Sequence, residues 1–238
     1  MSERNAAAVR TEEVWKIFEQ EAEEVQAVRG ITLTIEPGEF TAMAGPSGSG
    51  KTTLLNLIGG LTRPTGGHVW VAGKDVTEMS NRALAHLRLR QIGFIFQAYN
   101  LLPVLTAAEN AEFPLLLQGV DSDQRRQRVH KLFERTGLTG LEDRRPGKLS
   151  GGQQQRVAVI RAVVGEPALV LADEPTANLD SAASDALLDM MEELNRGLGT
   201  TFVFATHDPR VMERARRLIR LVDGAIASDE RRPPKSEQ

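Results

Sequence analysis

"GPSGSGKTT", residues 45–53, decides how this chain folds. Gly45, Gly50, Lys51 and Thr52 fit G-x-x-x-x-G-K-[ST], the spacing of a phosphate loop, a pattern that carries weight only between a strand and a helix. Apolar "FTAMAG" leads in, and "KTTLLNLIGGL" leads out with Leu54, Leu55 and Ile58 at helical spacing, stopping at Gly59-Gly60. The glycines let successive backbone N–H groups turn inward around phosphate oxygens, and the helix N-terminus adds its positive end. The loop formed by Gly45, Pro46, Ser47, Gly48, Ser49, Gly50, Lys51, Thr52 and Thr53 is therefore expected to cradle a nucleoside triphosphate. Lys51 would reach the β- and γ-oxygens, and Thr52 would offer its hydroxyl to Mg²⁺.

The surrounding composition narrows the classes of protein. At 238 residues the chain can build one sizeable core with lobes. A formal charge of -3, from nearly balanced acids and bases, supplies no basic surface for a phosphate backbone, so nucleic acid is not expected as a partner. The absence of cysteine excludes disulfides, thiolate metal sites and thiol nucleophiles. "MSERNAAAVRTEE" has no basic start followed by an apolar stretch, so a cytoplasmic location is expected. Apolar runs such as "ALVLA" and "TFVFAT" are far shorter than the roughly 20 residues that span a bilayer. Any membrane role would be borrowed from a partner.

Outward from the loop, "VRTEEVWKIF" and "AVRGITLTIEPGEF" read as strands joined by the acidic "EQEAEEV". "GGHVWVAGKDV" reads as a strand pair, with Val69 and Val71 on one face and Trp70 on the other. "QIGFIFQ" has a buried-strand pattern. "LLPVLTAAENAEFPLLLQGV" and "DSDQRRQRVHKLFERTGL" then read as helices, the second with Val129, Leu132 and Phe133 as its apolar stripe. Residues 98–158 form a helical lobe inserted in an α/β core. The core resumes with strand "ALVLAD", a helix from Asp180 or Ser181 to a stop at Gly197, strand "TFVFAT" and one last amphipathic segment near "RVMERARRLIRLVDG". Strands alternating with helices imply a mostly parallel sheet. The expected unit is residues 9–227, with 1–8 and 228–238 as disordered tails.

Asp173 and Glu174 end the apolar strand "LVLAD", and ligands of parallel sheets lie beyond the carboxyl ends of strands. Asp173 is placed to hold Mg²⁺ through its water shell, and Glu174 to orient or deprotonate an attacking water. Adjacent positions in a strand point different ways, so the two have different roles. His207 follows "TFVFAT" on the same sheet edge, where it could contact the γ-phosphate or serve structure alone. Gln97, after "GFIF", has an uncharged side chain able to touch Mg²⁺ or its water. Trp15 and Phe18 can each stack on a base or pack into the core.

"LSGGQQQRV", residues 149–157, has the Gly-rich opening of a phosphate-binding turn but carries no Lys and no carboxylate. Together with "GPSGSGKTT", "VLADEPTANLD" and "THD", in their order, it resembles the nucleotide-binding subunits of ATP-binding cassette transporters. The resemblance runs from about residue 9 to 227 and implies a P-loop NTPase (RecA-like) core, with mostly parallel sheet, an N-terminal antiparallel β lobe and an inserted helical lobe. It also implies ATP and Mg²⁺, hydrolysis of ATP, and a head-to-tail dimer in which Ser150, Gly151, Gly152 and Gln153 close the site of a second copy. Helix-start N–H groups beside Ser150 suit a γ-phosphate. The resemblance further implies that Phe18 stacks on adenine, Glu174 is the catalytic carboxylate, His207 the switch residue and Gln97 the nucleotide sensor. Residues 178–180 would cross the dimer interface.

Phe18 stands where Tyr is common and Thr52 where Ser is common; Val159 and Ile160 precede Arg161 where many relatives have Ile-Ala-Arg-Ala. Every catalytic position is filled. "IGFIFQAYNLLPVLTAAENAEFPLL" resembles the lipoprotein-release and macrolide-efflux branch, which implies an integral membrane permease subunit as partner and peripheral placement on the inner face of the cell membrane. The apolar residues within 99–105 could receive a short helix of that partner or belong to the core of the helical lobe. A non-transport ATPase regulating a membrane-linked cell-wall process is the alternative.

Overall fold

β3 (Phe40–Ala44) alternates its side chains between two cores: Phe40, Ala42 and Ala44 enter one, and Met43 enters the other. β7 (Leu169–Asp173) and β8 (Thr201–Thr206) do the same, with Val170, Ala172, Phe202 and Phe204 on the first face and Leu169, Leu171, Val203 and Ala205 on the second. A strand with both faces buried must read as a continuous apolar run, as these do. The computed structural model describes residues 6–20 and 23–232.

β6 (Ile92–Ile95), β9 (Arg217–Val222) and β10 (Ala225–Arg231) complete a six-stranded sheet in the order β10-β9-β3-β8-β7-β6. β9, β3, β8, β7 and β6 run parallel, and β10 pairs antiparallel with β9. The carboxyl ends of β3, β8, β7 and β6 therefore share one edge. β1 (Val9–Gln20), β2 (Glu23–Ile35), β4 (Gly66–Val71) and β5 (Lys74–Asp75) form a separate antiparallel sheet. With α1 (Lys51–Ile58) it covers one face of the central sheet. α3 (Ala107–Leu117), α4 (Ser122–Arg135), α5 (Gly151–Val163) and α6 (Ser181–Leu198) cover the other.

The boundary placed at residue 158 falls inside α5, which continues to Val163. α3, α4 and α5 share one continuous core with Phe40 and Phe202, so the helical lobe is packed as part of the main unit. α2 (Asn81–Gln91) is an element the sequence reading left unassigned. Its signals are sparse: Leu84 and Leu87 are its buried residues, and Ser80 caps it by accepting from the Ala83 N–H.

Three expectations are corrected. Gly197 does not stop α6: the helix passes through it to Leu198, and Gly199 caps it at φ 68°, the left-handed conformation a helix stop requires. The last amphipathic segment is two elements, α7 (Pro209–Arg214) and β9, parted at Ala215 and Arg216. The tails are shorter than expected. Ala8 is buried and accepts from the Ala72 N–H at 3.0 Å. Residues 228–231 extend β10, where Asp229 receives both Nε and Nη2 of buried Arg217 at 2.8 and 2.7 Å. The remaining tail residues, 1–5 and 233–238, lie outside the described residues.

Candidate functional site

The N-terminus of α1 is built differently from those of the other α-helices. α2 to α7 each begin with a side chain that accepts from a first-turn N–H, whereas α1 begins at Gly50 with no side-chain cap and no acid in its first turn. Uncapped N–H groups and the positive end of the helix make an anion site. Glycine is required at both ends of the loop. A Cβ on Gly45 would collide with the Leu221 carbonyl, and one on Gly50, at φ 95°, would collide with the Ala27 carbonyl of β2. Lys51 is buried, and its Nζ donates to the carbonyls of Gly45 and Pro46, both at 2.8 Å, which holds the ammonium inside the loop.

The end of β7 brings two carboxylates, Asp173 and Glu174, to this edge. Thr52 Oγ1 donates to Asp173 Oδ1 at 3.0 Å, so the first turn of α1 and the end of β7 meet. Burial pushes the Asp173 carboxyl above its usual range; the Thr52 hydroxyl opposes that shift, Glu174 adds to it, and Lys51 opposes it. Among the described residues no cluster of three or more His, Cys, Asp or Glu could hold a metal alone. Thr52 and Asp173 instead offer two hard oxygens, which fits Mg²⁺ completing its shell with phosphate oxygens and water.

Glu174 departs from the strand into the left-handed region at φ 46°, uncommon for a non-glycine residue and costing about 1–3 kcal/mol. Its N–H donates to the Ala205 carbonyl of β8 at 2.9 Å, which fixes the turn. Its Oε2 accepts from the Thr206 hydroxyl at 3.2 Å, and its Oε1 lies 2.6 Å from His207 Nδ1. The Glu174 side chain is 17% exposed and the His207 side chain 72%, so the imidazole forms the solvent side of the pair. The structure therefore brings the phosphate loop, Asp173, Glu174 and His207 to one edge.

Gln97, just beyond β6, joins that edge through its backbone: its carbonyl accepts from Asn178 Nδ2 at 2.9 Å while the residue itself is exposed. The two aromatic candidates differ in surroundings and not in exposure, Trp15 being 36% exposed. Trp15 packs over Gly30 and Gly66. Phe18 is 39% exposed, and Lys16 Nζ sits 4.9 Å from its ring centroid. Phe18 pairs with Val25 on the same β1–β2 arm whose Ala27 meets Gly50.

Ser150, Gly151, Gly152 and Gln153 lie elsewhere. Ser150 caps α5 through a capping box, its Oγ accepting from the Gln153 N–H and its own N–H donating to Gln153 Oε1 at 2.9 Å. This N-terminus opens on a concavity of about 360 Å³ with Asn178, Asp180 and Ala183, and none of residues 45–53 lines it. Two further polar residues of α5 escaped the sequence reading. Gln155, fully buried, donates through Nε2 to the carbonyls of Pro175 (2.8 Å) and Phe96 (3.4 Å). Arg161 donates to the carbonyls of Asn100 (2.6 Å) and Tyr99 (2.9 Å). Arg161 is signalled by its place in the apolar run of residues 157–164, whereas Gln155, among neighbouring polar residues, carries no such signal.

Comparisons with known proteins agree with this geometry. The sequence profile of the ABC transporter family matches residues 28–177. The chain is 50% identical over 203 residues to the lipoprotein-releasing system ATP-binding protein LolD of Anaeromyxobacter dehalogenans, covering 85% of each chain. It is 46% identical over 220 residues to the macrolide export ATP-binding/permease protein MacB of Syntrophobacter fumaroxidans, covering 92% of this chain but 31% of that one. A dimeric ATP-binding cassette in a post-hydrolysis state, bound to ADP and Pi, superposes with a TM-score of 0.86 at 38% identity, covering 94% of this chain and 98% of that one. The chain belongs to the ABC transporter family, as an ATP-binding, ATP-hydrolysing cassette of α/β fold.

Proposed function

We propose that this ATPase drives an integral membrane permease subunit, for export or lipoprotein extraction, through an ATP-dependent head-to-tail dimer with a second copy of itself. The observation that carries the reading is the separation of two half-sites: the α5 N-terminus at Ser150 opens on a concavity that none of residues 45–53 of its own chain lines. A second copy can bring the two together with ATP between them. The names of the similar proteins, a lipoprotein-releasing system and a macrolide exporter, support the two forms of work.

In this reading residues 45–53 hold the phosphates, Phe18 stacks on adenine, and Ser150, Gly151, Gly152 and Gln153 donate to the γ-phosphate held by the other copy. Thr52 and Asp173, with Gln97 through its side chain, hold Mg²⁺, which when bound neutralises charge on the phosphates. Glu174 orients and deprotonates the attacking water, and His207 holds the Glu174 carboxylate from the solvent side. Hydrolysis removes the bridge, and the dimer opens.

No helix among the described residues is long and apolar enough to cross a membrane. Membrane attachment falls to the partner and places the protein on the inner face of the cell membrane. A groove of about 420 Å³, lined by Phe94, Phe96, Phe113 and Leu117 and edged by Arg88 and Arg90, reaches the residue before Gln97. It suits a short helix of the permease.

The test is the mass of a Glu174→Gln protein in solution. With ATP and Mg²⁺ it should double, and with ADP it should be that of one chain. A single-chain mass under both conditions, together with recovery of nucleic acid in place of an integral membrane protein on pull-down from detergent extract, would overturn the reading.

A further inference from the structure

The carbonyls of Phe96 and Pro175 lie just beyond the ends of the adjacent strands β6 and β7. Phe96 immediately precedes Gln97 and Pro175 immediately follows Glu174. Both carbonyls point into a region closed by α5, and both meet one atom, Nε2 of Gln155, at 3.4 and 2.8 Å. Gln155 has no solvent exposure, and its Oε1 is buried without a partner. Burying a primary amide on an otherwise apolar helix face is unfavourable unless its hydrogens find acceptors. A leucine or methionine would leave both carbonyls without a donor. A glutamate would set a carboxylate against them. The two hydrogens of a primary amide serve both at once.

α5 also carries Ser150 at its N-cap, about one and a half turns before Gln155. Six residues further on, Arg161 holds the carbonyls of Tyr99 and Asn100, the continuation of the Gln97 segment. One helix thus links the face offered to the other copy with the two segments that carry Gln97 and Glu174 at the chain's own phosphate loop.

We propose that Gln155 is a positioning residue: its amide ties the Gln97 and Glu174 backbones to α5, so that closure of Ser150 on one ATP sets the geometry of hydrolysis at the chain's own site. The inference rests on the dimer reading above. The side chain touches neither ATP nor Mg²⁺, so its loss should act on turnover and spare nucleotide affinity.

The test compares the unsubstituted protein, Gln155→Met and Gln155→Glu, measuring kcat and KM for ATP, ATP affinity of the single chain and thermal unfolding. The expected result is a fall in kcat of tenfold or more in both variants, on the order of 1.4 kcal/mol of activation free energy per tenfold, with KM and affinity little changed. Adding Gln97→Ala to Gln155→Met should then cost less than the product of the two separate losses, as for groups acting through one segment. Unchanged kcat, independent multiplication of the losses, or kcat and affinity falling together with the melting temperature would each overturn it. In a Glu174→Gln background, Gln155→Met should still dimerise with ATP. Loss of that dimer in the double variant alone overturns the positioning role; its loss in Glu174→Gln as well overturns the dimer reading and this inference with it.

Discussion

His207 Nδ1 stands 2.6 Å from Glu174 Oε1, while Thr206 Oγ1 holds the other carboxylate oxygen at 3.2 Å. Consecutive residues at the end of β8 thereby grip both oxygens of a side chain leaving β7. The grip fixes the direction of the carboxylate, and the left-handed turn at Glu174 sets where it starts. Glu174→Gln keeps the shape and removes the base, so steady ATP turnover should fall by about 10²–10⁴-fold with ATP still bound. His207→Ala should fall in the same direction with a smaller loss, because Thr206 remains. Phosphate-release kinetics beside equilibrium nucleotide binding check both; turnover unaffected by Glu174→Gln would remove it from the mechanism.

Asp173 gives a prediction of opposite sign for stability and activity. Burial raises its carboxyl above the usual 3.8. A carboxyl raised in the fold binds its proton more tightly there than in the unfolded chain. Its contribution favours the fold below 3.8 and is lost as pH climbs through the raised value. At neutral pH the ionised group is therefore a burden on the nucleotide-free protein. Asp173→Asn should leave the melting temperature of that form unchanged or higher than the unsubstituted protein's at pH 7, a difference that narrows toward acid, while Mg²⁺-dependent hydrolysis is lost. Melting curves from pH 4 to 8 without nucleotide, beside ATPase assays, separate the effects; a lower melting temperature for Asp173→Asn across that range would contradict the assignment.

The phosphate loop and the Asp173–Glu174 pair were legible because each is carried by neighbouring residues in one short stretch of sequence. What escaped depends on distant partners. Gln155 reads as one polar residue among several in "GGQQQRV" until its amide is seen between β6 and β7. Gly197 and Gly199 are equivalent stops in sequence. Gly197 lies inside α6, where a Cβ would press on the Arg135 guanidinium, and only the Gly199 backbone turns left-handed. α2 was missed because it carries two buried apolar side chains, Leu84 and Leu87, among basic and polar residues.

Ser150 has two duties that a suitable substitution can part. Its hydroxyl caps α5, and in the dimer reading it also meets the γ-phosphate of the ATP held by the other copy. Ser150→Asp retains a good cap, so the fold should hold within about 0.5 kcal/mol. The added negative charge faces a phosphate, so the ATP-dependent dimer of a Glu174→Gln protein should be lost while the single chain still binds ATP. In mixtures of Lys51→Ala with Ser150→Arg chains, each heterodimer has one composite site with both halves intact and one with both damaged. Some ATP-dependent dimer should survive in the mixture and none in either parent; its complete absence would show that one sound site is insufficient.

Arg217 accounts for the order of the chain's last strand. Its guanidinium, buried on β9, takes Asp229 of β10 with two bonds, Glu39 at 3.0 Å and the Thr34 carbonyl at 2.7 Å. One cation thus joins β2, the turn before β3, and β10. Arg217 holds the Asp229 carboxyl below its usual range. A depressed carboxyl stabilises the fold above 3.8, and that contribution disappears as pH falls through the lowered value. Arg217→Met removes both bonds to Asp229 and leaves the exposed Arg231 as the cation beside Glu39, and should cost about 1–3 kcal/mol. Asp229→Ala leaves the Glu39 pair in place and should cost less, with a shallower loss of stability toward acid than the unsubstituted protein. Urea unfolding of the three proteins at pH 7 and pH 4 is the check. Equal stability of Arg217→Met and the unsubstituted chain would show that the β9–β10 pairing holds without the ionic network.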